Sequence, residues 1–107
     1  MKIKFPKTIL IGIDTFKVIK DNKSFSSSFD WGAGELRLGT KAIKTDFGNF
    51  FSGLVHEIFE MWTVSLYIRY TRPDNYDDYE FHFDHRLFSV LMENASKTLL
   101  EFIDDKK

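Results

Sequence analysis

The chain reads as an α+β protein: a small N-terminal antiparallel or mixed sheet of about three strands, with a short later strand, packed on one long helix and a C-terminal helix. Three observations carry this reading. β-Branched and aromatic residues dominate positions 7–20, and strict alternation returns at 35–39, both of which are strand signatures. From residue 46 onward apolar residues recur at helical spacing, and no proline interrupts them until Pro73. A second helical pattern begins just after Asp84, a natural cap. With 107 residues, 43% hydrophobic residues, 12 Phe and no Cys, the chain has apolar matter for one core without disulfides. Residues 1–107 are therefore read as one domain.

The elements follow in order. Residues 7–20, KTILIGIDTFKVIK, form two strands joined by a tight turn at Gly12, with Asp14 close behind. Residues 21–28 are polar and turn-like. In the next stretch Glu35, Leu36, Arg37 and Leu38 alternate as in a half-exposed strand, while Gly32, Gly34 and Gly39 mark bulges or a close approach of backbone. Thr45 or Asp46 caps a helix over about 46–70. TRPDNYDDYE, residues 71–80, is a polar loop with turn chemistry in Pro73-Asp74-Asn75. Residues 79–83 alternate aromatic and polar side chains as a short strand. A second helix over about 85–104 turns Leu87, Phe88, Leu91, Leu99 and Phe102 toward the core.

Composition excludes several functions. Without Cys there is no thiolate metal site. A net charge of −1 argues against a nucleic-acid binder held by a general basic field. The charge is uneven: residues 1–44 carry nine Lys/Arg against four Asp/Glu, residues 45–107 six against twelve. Lys2, Lys4, Lys17, Lys20 and Lys23 read as solvated strand positions, though a basic sheet face would also suit an acidic partner. The apolar run Ile9–Ile13 is too short for a signal-peptide core, and the apolar stretch 50–70 holds His56, Glu57 and Glu60 in its middle. A soluble, cytoplasmic protein with no membrane partner is expected.

The chemistry concentrates on the first helix. His56 and Glu60 are four residues apart, so an imidazole nitrogen and a carboxylate oxygen share one helix face and can reach one ion. Glu57 is turned about 100° around the axis, which points it at a water on that ion rather than at the ion itself. Two ligands one turn apart with an adjacent carboxylate are components of metal-assisted hydrolysis. Val55, Phe59, Trp62 and Leu66 form one apolar strip of this helix, and Leu54, Ile58, Met61 and Ile68 a second. Charged groups in so apolar a helix need partners. The face of His56 and Glu60 also carries Asn49, Gly53 and Thr63, small or polar residues that leave room for a site. The plain alternative is a hydrogen-bonded histidine beside the exposed acidic edge of an amphipathic helix.

Leu-Val-His-Glu-Ile-Phe-Glu, residues 54–60, resembles the helix of zincin metallopeptidases, H-E-x-x-H, with Glu60 where the second His would stand. Over residues 8–103 the chain resembles minimal zincin-like proteins of bacteria and their phages, relatives in plan of the ImmA-type peptidases. Phe-His-Phe-Asp-His-Arg-Leu-Phe, residues 81–88, supplies the later His-bearing segment. The resemblance implies zinc held by His56, Glu60 and His85, with Glu57 as general base. His82 is the alternative to His85. His85 opens the second helix, where the dipole disfavours a protonated imidazole. Two His and one carboxylate also suit Fe, Mn or Ni. The strand 35–39 would be the edge that pairs with an extended peptide or protein. A zinc-dependent peptidase is the first reading. The others are a non-catalytic metal- or partner-binding domain, with Phe-rich surface and the acidic loop 74–80 as its interface, and a metal that only staples helix to helix.

Overall fold

Alternation along the first strands puts Ile9, Ile11 and Phe16 on one face and leaves Thr8, Leu10 and Lys17 on the other, which is what commits this segment to a one-sided sheet. A computed structural model describes residues 2–72 and 74–104, the side chains of 75–77 excepted. The elements are β1 (Lys2–Ile3), β2 (Thr8–Ile11), β3 (Asp14–Asp21), β4 (Ser28–Asp30), β5 (Glu35–Gly39), α1 (Phe47–Ser65), β6 (Arg69–Arg72), β7 (Asn75–Phe81), α2 (His85–Leu100) and β8 (Ile103–Asp104). Strand order in the main sheet is β2-β3-β5-β4. β2 and β3 form the expected hairpin, β3 and β5 run parallel, and β4 folds back antiparallel on β5. β6 and β7 make a separate antiparallel pair, and β1 pairs with β8, joining Ile3 to Ile103. The mixed α+β content is that predicted from the sequence.

One core lies between the sheet and the helices. Ile9, Ile11, Phe16, Leu36 and Leu38 of the sheet meet Phe50, Leu54, Ile58 and Met61 of α1, all fully or nearly fully buried. α2 closes the flank with Ala95 and Leu91, and Phe102 just past its end is fully buried. The Trp62 indole Nε1–H donates to Thr98 Oγ1 at 2.9 Å, tying α1 to α2. Lys2, Lys4, Lys17, Lys20 and Lys23 are all exposed, the solvated positions expected. Among the described residues no helix is long and apolar enough to cross a membrane.

Four boundaries differ from the sequence reading, the first being α2, which ends at Leu100 and not near 104, where Ile103–Asp104 pair with β1 instead. α1 stops at Ser65, not near residue 70. The Tyr67 N–H donates to Val64 O and the Ile68 N–H to Thr63 O, a Schellman closure that needs a left-handed residue after the cap. Tyr67 takes that conformation at φ 59° without being glycine, so no residue in the sequence announced the stop. Thr71, Arg72 and residues 75–80 are strand where a loop was expected, because β6 and β7 pair along them. Pro73, where the turn was placed, lies outside the described residues. Finally, β5 (35–39) is not the sheet edge. It is paired on both sides, by β3 and by β4, so its backbone groups are taken and cannot receive a peptide. The edge strands are β2 and β4, and only Ser28 of β4 falls in the segment read as turn.

Candidate metal centre

α1 begins where Asp46 Oδ1 accepts from the Asn49 N–H at 3.1 Å, so the helix phase is set from that cap. That phase sends Leu54, Ile58 and Met61 into the core and brings His56, Glu57 and Glu60 to its border. His56 stands largely in solvent, its side chain 69% exposed. Glu57 is buried, with 7% of its surface exposed. Glu60 lies between them in burial. His56 Nε2 is 4.0 Å from Glu57 Oε2 and 3.9 Å from Glu60 Oε1. One ligand atom from each of the three residues falls within 4.8 Å of the others, and among the described residues this is the His/Cys/Asp/Glu group with metal-binding spacing. The expectation that Glu57 is turned too far from His56 to share an ion does not hold. A long carboxylate arm closes an offset that the backbone alone would leave.

Glu57 is also the electrostatic anomaly. Its Oε2 is the buried side-chain polar atom that finds no hydrogen-bond partner among the described residues. Burial raises its carboxyl from 4.5 to about 7; His56 and Arg69 pull the other way, and the neighbouring Glu60 charge adds to the rise. An orphaned buried carboxylate oxygen is costly unless something cationic or protic occupies its vicinity. The donor set fits a divalent ion: one imidazole and two carboxylates suit Zn²⁺ or Mn²⁺. Donors around a tetrahedral Zn²⁺ with bonds of about 2.0–2.1 Å lie roughly 3.3 Å apart, so small side-chain rotations would close the observed spacings.

Two open clefts meet at Glu60. The smaller, about 310 Å³, runs between Val55, His56, Phe59, Glu60 and Thr63 of α1 and a wall of Phe81, Phe83, Leu91 and Met92. The larger, about 680 Å³, is bounded by Ser28 to Gly32 on one side and by Glu57, Glu60, Arg69 and Tyr79 on the other. The group of His56, Glu57 and Glu60 thus sits where material from either cleft can reach it.

The structure brings His56, Glu57 and Glu60 together and leaves both later histidines out. His85 is the first residue of α2 and is exposed, and it is not part of the group with metal-binding spacing. Glu57, not His85, is the third member of that group. His82 Nε2 lies 3.1 Å from Glu80 Oε2, and its ring meets Tyr70 edge-on with centroids 4.9 Å apart. Sequence reasoning missed Arg69. Its Nη1 is 3.4 Å from Glu60 Oε2, and its guanidinium lies 3.9 Å over the Tyr79 ring centroid. The sequence signal was faint: an arginine beyond the helix, whose proximity to the site depends on the turn at Tyr67. Comparison with protein-family models, curated proteins and solved structures returns no match.

Proposed function

We propose that His56, Glu57 and Glu60 form the centre of a metal-dependent hydrolase, zinc being the preferred ion and a peptide the substrate, with Glu57 as general base. The observation that carries this is the buried, unpartnered Glu57 Oε2 beside two further donors on the same helix. A divalent ion bound there would supply Lewis acidity toward a carbonyl and lower the pKa of water. His56 and Glu60 would hold it from one helix face. Glu57, kept out of bulk solvent, takes the proton from the attacking water and returns it to the leaving amine. Among the described residues β4 pairs with β5 alone, and its residues line the larger cleft beside Glu57 and Glu60, where an extended peptide would add as a strand.

One observation favours a second reading, a non-catalytic metal- or partner-binding domain. Catalytic zinc sites ordinarily use three protein donors, and here the third is Glu57 itself unless His85 comes over. A ligating Glu57 is not free to act as base. The test uses protein purified without tag or added metal. Elemental analysis should find about one divalent ion per chain, and metal-loaded protein should cleave within a mixture of peptides read by mass spectrometry. Glu57→Gln should keep the metal and lose roughly 10²-fold or more in cleavage. Loss of metal by Glu57→Gln makes Glu57 a ligand and favours the second reading. Absence of metal from the wild type, together with no binding of added Zn²⁺, overturns the hydrolase and the metal-binding form of the second reading, and leaves partner binding alone.

A further inference from the structure

We infer that Arg69 is a positioning residue for the metal centre: it fixes the Glu60 carboxylate so that one oxygen, Oε1, is presented to the ion. The inference rests on the metal-binding part of the reading above and not on catalysis. Glu60's two oxygens are already divided. Oε2 lies 3.4 Å from Arg69 Nη1, while Oε1 faces His56 Nε2 at 3.9 Å. A carboxylate so engaged at one oxygen has its rotation about the last side-chain bond restricted, which keeps the other on the side of His56 in the close group that also holds the unpartnered Glu57 Oε2.

Arg69 can do this because it is itself held. Its guanidinium carbon lies 3.9 Å from the Tyr79 ring centroid and 5.6 Å from that of Phe29, and its side chain is only 21% exposed. Stacking on an aromatic face and pairing through a planar edge are things a guanidinium does together and an ammonium does not. The clamp draws on β6 for Arg69, β7 for Tyr79 and β4 for Phe29, so three strands outside α1 determine how a helix side chain points. The chain delivers Arg69 there through the Schellman closure. Ile68, buried directly after the left-handed Tyr67, anchors the return, and Arg69 follows as the first residue of β6. Outer partners of this kind orient ligands, and removing them weakens metal binding by about 10–100-fold.

A second effect has the opposite sign. A guanidinium near a dication repels it, so if charge alone mattered, removing Arg69 would tighten metal binding. The direction of change therefore decides. The experiment titrates metal-free full-length protein with Zn²⁺ against a chromophoric chelator, and with Co²⁺ for its visible absorption, which reports donor geometry. Arg69→Ala should weaken Zn²⁺ binding by about 10–100-fold and alter the Co²⁺ spectrum. Arg69→Lys, which keeps the charge but not the stacked fork, should recover only part of the affinity. Tyr79→Leu, which keeps the charge and removes the ring face, should weaken binding in the same direction and keeps the test decisive if Arg69→Ala does not fold. Wild type that binds while all three variants bind as tightly or more tightly, with an unchanged Co²⁺ spectrum, overturns the inference and leaves the metal centre standing. Wild type that binds neither ion overturns the metal centre and the inference with it.

Discussion

Burial of the Glu57 carboxyl raises it from 4.5 to about 7, so the folded, metal-free protein holds this proton more tightly than the unfolded chain does. The stability Glu57 contributes is therefore present in full below about pH 4.5 and is lost as pH rises through 7. A shift of that size corresponds to at most about 3 kcal/mol. Glu57→Gln never ionises and escapes the loss. In EDTA, the unfolding free energy of the Gln variant relative to wild type should climb between pH 4.5 and 8, measured by denaturant melts at each pH. A flat difference would mean that the carboxyl ionises freely in the fold. At this scale the sequence showed His56 and Glu60 plainly, because a four-residue spacing fixes a shared face. It did not show Glu57 joining them, because side-chain reach across an i,i+1 offset depends on which rotamer the surrounding burial permits.

The elements were legible where a local signal sets them. Asp46 and Asp84 both cap as read, Asp84 Oδ1 accepting from the Leu87 N–H at 2.9 Å. The strand-turn-strand at 7–20 follows from alternation and Gly12, which sits at φ 63°. What stayed hidden depends on tertiary pairing: β4 is three residues long, and β6 with the first part of β7 is polar strand supported by mutual pairing, only the end of β7 at 79–81 having been read as strand. Gly39 belongs to the legible set, as a close approach of backbone. A Cβ there would run into the backbone of Ser24 and Ser26, and the Gly39 N–H donates to Ser27 Oγ at 3.1 Å. Gly48, in the first turn of α1, would place a Cβ no nearer than 3.7 Å to Asp46 Oδ1. Gly39→Ala should therefore destabilise by about 1–3 kcal/mol through overpacking. Gly48→Ala should stabilise by roughly 0.5–1 kcal/mol through helix entropy. Chemical denaturation of the two variants checks both, and equal effects would show that the segment around Ser24–Ser27 yields freely.

At the scale of the whole molecule, the candidate site lies on α1 at the mouth of a groove walled by α2. The α+β layering was readable from pattern, but the position of the α2 N-terminus relative to α1 was not, because it depends on how the β6–β7 pair spaces the two helices. In the structure a groove of about 310 Å³ separates His56 and Glu60 from Phe81, Phe83, Leu91 and Met92, and His85 is exposed at the start of α2. The far half of α2 is pinned to α1 by Trp62 and Thr98, so bringing His85 to the ion requires closing the groove about that contact. Phe83, which packs on Phe88 with centroids 5.9 Å apart, would have to move with it. Donors on one helix keep part of their local spacing in the unfolded chain, so metal binding by α1 alone stabilises the fold by less than the ideal value of about 2.7 kcal/mol at 100 times Kd. Zn²⁺ should accordingly raise the melting temperature modestly, and EDTA should reverse the rise. His56→Ala and Glu60→Ala should each weaken binding by about tenfold or more, as expected for removal of a donor whose mere outer partners matter that much. His85→Ala and His82→Ala should leave both affinity and thermal shift close to wild type. A His85→Ala variant that loses metal as His56→Ala does would show that the groove closes over the ion in solution and that α2 supplies the third donor.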